Sequence, residues 1–152
     1  PIVGVDSAPY NAFFLVTDAT TPGQIVATDK SGEETAIAVP TESDLDIKGA
    51  ESTLRNALVA ALTFYPDHQS FVGFSPAEAT GIEPSLTYNT SSTVIPGEVS
   101  IRDVNKETIV LVTATPNGDV LCIAADQSKT RNTSYGTMDA ATVAECSDSQ
   151  WP

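Results

Sequence analysis

Apolar positions recur at helical spacing between residues 50 and 65. Leu54, Leu58, Ala61, Leu62 and Tyr65 fall on one face, which predicts an amphipathic helix over about residues 48–65. Leu54, Leu58, Leu62 and Tyr65 are its expected core-facing side chains. Pro66 is expected to end it and to leave Asp67 and His68 in a polar turn. Upstream, Ser43 and Asp44 can accept from unpaired first-turn amides, and acidic residues suit the positive end of a helix. Gly49 blurs that boundary. A second start signal follows: Ser75 at a cap position, Pro76 at the first helical position and Glu78 three past the cap. This capping-box pattern predicts a helix of one or two turns ending near Gly81. Glu83 precedes Pro84 and is therefore biased to extended backbone.

Beyond that point the period becomes two. Residues 98–104 alternate Val99, Ile101 and Val104 against Ser100, Arg102 and Asp103, with one slip. Residues 108–115 are rich in Val, Ile and Thr and read as the strongest strand. Asn117 and Gly118 both accept positive φ and mark a hairpin turn. Residues 119–125 then pair back, with Val120, Cys122 and Ala124 on one face and Leu121 and Ile123 on the other. Both faces are apolar, so this strand is expected inside a sheet. Residues 86–89 form a weak strand and 90–97 a loop. Residues 126–152 read mostly as coil, with a helical turn near 138–145. Ahead of the long helix, residues 12–17, 24–28 and 34–39 read as a meander of short strands, separated by turns at 18–23 and 29–32.

The expected fold class is therefore α+β: one long amphipathic helix packed on a small antiparallel sheet, with an extra N-terminal β-meander. The expected organisation is a β-rich extension over residues 1–45 and a head over residues 46–152.

Composition narrows the function. The chain has 152 residues, 41% of them hydrophobic, enough for one modest core. Twenty acidic and 7 basic residues give a net charge of −13. Nucleic acid needs Lys and Arg to replace its counterions, so it is not an expected partner. An anionic membrane surface is disfavoured for the same reason. The plain reading of this charge is a solvated, self-repelling surface; the sharper one is a surface built for cations. The longest apolar run, Ala12, Phe13, Phe14, Leu15 and Val16, is far short of the roughly 20 residues that span a bilayer. No membrane contact is expected from this chain. The only methionine is Met138 and no signal peptide is visible, so a processed chain or a cut piece of a longer one is expected, with any anchor encoded before Pro1.

Two cysteines, Cys122 and Cys146, in an acidic, Lys-poor, Ser/Thr-rich chain fit an oxidising compartment and a disulfide; the alternative is two unrelated buried thiols. Two cysteines and one histidine are too few for a zinc site. As a general base, His68 would need a nucleophile and an orienting group within reach; beside Asp67 it reads as a solvated turn residue. The acidic pairs Glu33 with Glu34 and Asp44 with Asp46 have no buried context to split their pKa values. No phosphate loop, nucleophile elbow or paired-His motif occurs. Catalysis is not expected and no cofactor is expected. Calcium is kept as a minor candidate on residues 29–34 (Asp29, Lys30, Ser31, Gly32, Glu33, Glu34), which offer oxygen ligands around a glycine but fall far short of an EF-hand loop. Asn89, Thr90, Ser91 and Asn132, Thr133, Ser134 match the glycosylation sequon, a chance outcome in a chain this rich in Ser and Thr.

An ordered set of residues then carries a family resemblance. Ser52, Thr53, Leu54, Arg55, Asn56 and Ala57 open a helix that closes on Phe64 and Tyr65, with Ser70 and Phe71 after a short turn. Ile82, Glu83, Pro84, Ser85 and Leu86 follow, then Gly97, Glu98, Val99 and Ser100. A hairpin ends in Cys122; Tyr135 and Gly136 precede the late Cys146 and Trp151. This order resembles the globular head of bacterial type IV pilins and of type II secretion pseudopilins, particularly of Gram-positive type, over residues 50–152. The resemblance implies a helix on an antiparallel sheet of three or four strands and a C-terminal region closed by Cys122 and Cys146. It implies an extracellular or cell-surface subunit of a pilus-like or pseudopilus-like filament, and no catalysis. Its partners would be further copies or other pilin-like subunits; some pseudopilin heads also hold calcium in a loop between strands, and the corresponding residues 127–138 have only Asp126 and Asp139 at their edges. Such subunits begin with a long apolar helix, which this chain lacks; residues 1–40 do not match the family. The alternative expectation is a secreted or anchored module on a pilin-like scaffold that recognises a surface receptor or ligand through residues 1–40.

Overall fold

The computed structural model describes residues 15–18, 24–28, 34–38 and 42–146, with side chains from Asp46 onward. The chain divides into two compact units, Pro1–Leu45 and Asp46–Pro152. The turns expected at 19–23 and 29–32, and Trp151, lie outside the described residues.

In the first unit, β1 (Leu15–Asp18), β2 (Gln24–Thr28) and β3 (Glu34–Ala38) pair antiparallel in sequence order. Leu15 faces Thr28, and Ile25 faces Ile37. The β1 register slips between Val16 and Asp18.

The long helix α1 runs Glu42–His68, from Asp46 onward within the second unit. It begins before the expected position because Gly49 does not interrupt it. A Cβ at Gly49 would meet nothing within 4 Å, so the glycine costs backbone entropy and no packing. Ser43 and Asp44 sit inside the first turn and not ahead of it. Pro66 does not end the helix, and Asp67 and His68 belong to its last turn. A proline removes the bond from its own nitrogen to the carbonyl four residues back, and its ring crowds that carbonyl; here the helix continues two residues past it before stopping. The stop comes at Gln69, whose φ of 50° is left-handed and whose N–H reaches Tyr65 O at 2.6 Å, a common way to close a helix.

Helix α2 (Pro76–Ile82) follows its sequence signal closely: Ser75 is extended and its hydroxyl accepts from Glu78 N at 3.3 Å. Strands β4 (Thr87–Asn89), β5 (Glu98–Arg102), β6 (Thr108–Ala114), β7 (Val120–Asp126) and β8 (Thr133–Gly136) form one sheet in that order. A short helix α3 (Val143–Cys146) ends the described chain.

Two expectations are corrected. The sheet has five strands and is mixed, since β4 runs parallel to β5, where an antiparallel sheet of three or four was expected. The residue 90–97 segment permits this by carrying the chain back along the strand before β5 begins. Residues 133–136, read as coil, form β8 against β7. Thr133 and Ser134 carry little hydrophobic signal, and the pairing comes from the neighbouring strand.

The β6–β7 turn differs in detail. Gly118 has positive φ but Asn117 does not. Gly118 N bonds Thr115 O and Thr115 N bonds Asp119 O. Pro116 fixes the second turn position, so an ordinary first turn followed by a left-handed glycine joins the strands.

The sheet separates two cores. On one face Val99, Ile101, Ile109, Leu111, Leu121, Ile123 and Ala125 share a cluster with Ala50, Leu54, Ala57, Leu58, Ala61 and Phe64 of α1. Leu62 and Tyr65 pack at its margin. On the other face Val110, Val112, Cys122 and Ala124 lie under Ala140 and Cys146, with Val94, Met138 and Val143 at the edge. Strand β7 lies between β6 and β8 and is apolar on both faces, as its two-sided pattern indicates. Among the described residues no helix is long and apolar enough to cross a membrane.

Candidate functional site

The back face of the sheet, where residues 138–146 are strapped down, holds the most elaborate side-chain arrangement. Alternation places Ser100 and Arg102 of β5 on that face, in register with Val112 and Val110. Cys122 and Cys146 are fully buried and form a pair at disulfide geometry, with Cα atoms 5.9 Å apart. The bridge ties α3 to the middle of β7.

Arg102 is the second tie. Its guanidinium donates to Asp139, to Ser92 O at 2.7 Å and to Ala140 O at 3.4 Å, and its Nε donates to Ser100 Oγ at 3.2 Å. Ser100 Oγ in turn donates to Ser91 O at 2.5 Å. One cation therefore holds both the loop ahead of β5 and the strap. A fixed planar fork is suited to serving several acceptors at once. Sequence reading missed this role; the signal was an arginine two residues after a serine on the same strand face, in a cation-poor chain.

Glu51 was also missed. It is 2% exposed on the apolar stripe of α1, and Lys48 Nζ and Arg55 Nη2 approach its carboxylate at 3.3 and 3.7 Å. Spacings of three and four on a helix make both contacts local.

The other singled-out residues are dispersed. His68 stacks on Phe64, ring centroids 3.8 Å apart, and its Nδ1 lies 3.0 Å from Phe64 O. Asp126 accepts from Ser128 N and Oγ and from Lys129 Nζ at 3.0 Å. The Ser128 hydroxyl, followed by Lys129, holds its pKa below the usual carboxylate range. Asp139 is engaged by Arg102, and Asp46 accepts from Asn117 Nδ2 at 3.2 Å. Side chains of residues 29–34 and of Asp44 lie outside the described set. Among the described residues no three His, Cys, Asp or Glu side chains gather as a metal site. Asn89 Nδ2 donates to Glu98 at 2.8 Å.

Tyr88 is buried with its hydroxyl unpaired among the described residues. Burial, then the nearby Glu83 charge, pushes its pKa up to about 12. A shallow cavity of about 140 Å³ is lined by Ile47, Asp119, Val120, Leu121 and Thr137. It offers one carboxylate and no nucleophile–base pair.

Comparison of the chain with known protein families, curated proteins and solved structures finds no match. The architecture is that of an α+β protein: one long helix on a five-stranded mixed sheet, with a strap over residues 138–146 bridged by Cys122 and Cys146.

Proposed function

We propose that residues 46–152 form the head of a pilin-like or pseudopilin-like subunit that acts outside the cytoplasm and assembles with further copies or related subunits. The observation that carries this reading is the combination of α1 lying on one sheet face and the strap closed by Cys122 and Cys146 on the other. A buried disulfide favours an oxidising compartment. Such a head supplies shape and surface for assembly. The test is electron microscopy of source cells with antibodies raised against this head. Decorated fibres, or decorated short surface rods, are expected. Labelling confined to diffuse material with no fibre would overturn the reading.

A receptor- or ligand-binding module on the same scaffold is the second reading, and the separate three-stranded sheet of the first unit favours it. Removing residues 1–40 would then abolish binding to cells and leave fibre formation unaffected.

A further inference from the structure

We propose that Asn117 is a site of spontaneous covalent modification, and that its conversion to aspartate or isoaspartate breaks the bond between the β6–β7 turn and helix α1. The chain has six asparagines, and Asn117 is the one followed by glycine. The others precede Ala, Thr or Lys, whose side chains crowd the backbone nitrogen that must attack. Asn117 and Gly118 are exposed at the tip of the turn. A Cβ at Gly118 would meet nothing within 4 Å, so no neighbouring residue packs over the glycine.

The step balances without an oxidant. The Gly118 nitrogen gives up its proton to solvent and bonds Asn117 Cγ. The Cγ–Nδ2 bond breaks, and Nδ2 takes up a proton from solvent and leaves as ammonia, giving a cyclic imide. Water opens the ring at either carbonyl, leaving aspartate or isoaspartate. The fold gates the reaction through two hydrogen bonds. Gly118 N donates to Thr115 O at 3.0 Å, and Asn117 Nδ2 donates to Asp46 Oδ2 at 3.2 Å. Both must open before attack.

The consequence is local and one-way. The amide donor that joins the turn to Asp46 becomes a carboxylate facing another carboxylate, two residues from Asp119, in a chain already at −13. An attraction across the two elements becomes a repulsion.

The experiment incubates the intact protein in mildly alkaline buffer and maps amide loss by peptide mass. Asn117 is expected to convert ahead of the other five asparagines, and Asn117→Ser to show no conversion at the turn. The Asn117→Asp variant is expected to melt about 2 °C lower. That deficit should shrink in high salt and disappear when Asp46→Asn is added. Earlier conversion at another asparagine, an unchanged melting temperature for Asn117→Asp, or a deficit indifferent to Asp46→Asn would each overturn the proposal.

Discussion

At the scale of single residues, two positions depart from what their surroundings favour. Gly49 occupies a helix interior with open space where a Cβ would stand. Gly49→Ala should therefore stabilise the protein by about 0.5–1 kcal/mol, read as a higher urea midpoint with an unchanged slope. Tyr88 buries a hydroxyl without a partner among the described residues. Its folded-state pKa, about 12, lies above the ordinary value near 10. The unfolded chain thus ionises first, and the neutral ring's contribution to stability is whole below about pH 10 and drains away as pH climbs toward 12. Tyr88→Phe should remove this alkaline loss while keeping stability at neutral pH equal or higher, because no hydrogen bond is forfeited. Thermal melts across pH 8–12, as an order-of-magnitude window around that shift, decide it. A Phe variant with the same alkaline slope would assign the loss to another group.

At the scale of elements, what could be read in the sequence depended on whether the determinant was local. Helix α2 was legible because Ser75, Pro76 and Glu78 sit within one turn of its start. The apolar face of α1 was legible from Leu54, Leu58 and Leu62, since periodicity is a property of the segment itself. The interior place of β7 was legible from its two apolar faces. The parallel pairing of β4 was not, because nothing in Thr87, Tyr88 and Asn89 encodes direction; the loop at 90–97 and its anchoring to Arg102 do. Strand β8 was hidden for the same reason, as its order derives from Cys122, Ile123, Ala124 and Ala125 beside it. The Arg102 hub required knowing that loops 91–92 and 139–140 meet over β5. Replacing Arg102 by Met should cost about 1–3 kcal/mol, since Asp139 can return to water while the freed carbonyls are less able to. Hydrogen exchange should quicken at residues 90–97 and 138–142 together. Faster exchange in only one of the two segments would show that the arginine does not couple them.

At the scale of the whole molecule, stability rests on a sheet with a core on each side. The helix-side core is large and contiguous. The strap-side core is small and depends on Cys122 and Cys146 to keep its cover in place. Cys146→Ser should cost about 3 kcal/mol by the chain-entropy estimate for a loop of this length and should loosen α3 and β8 while leaving α1 protected. Calorimetry together with exchange measurements checks both parts. If α1 loses protection as fast as α3, the two cores unfold as one and the bridge holds up the entire head. In the filament reading, the strap is then the surface whose shape the bridge preserves.

The order of the chain adds a consequence of the two-sided sheet. Strand β7 is made well before the residues that roof its rear, so a chain emerging from a ribosome can seat α1 and the front layer early. Val110, Val112 and the Cys122 thiol stay bare until residues 138–146 arrive, in keeping with N-terminal-first folding during synthesis. During that interval the nascent head carries an unpaired sulfur and a sticky rear wall, and is open to mispairing with a neighbour.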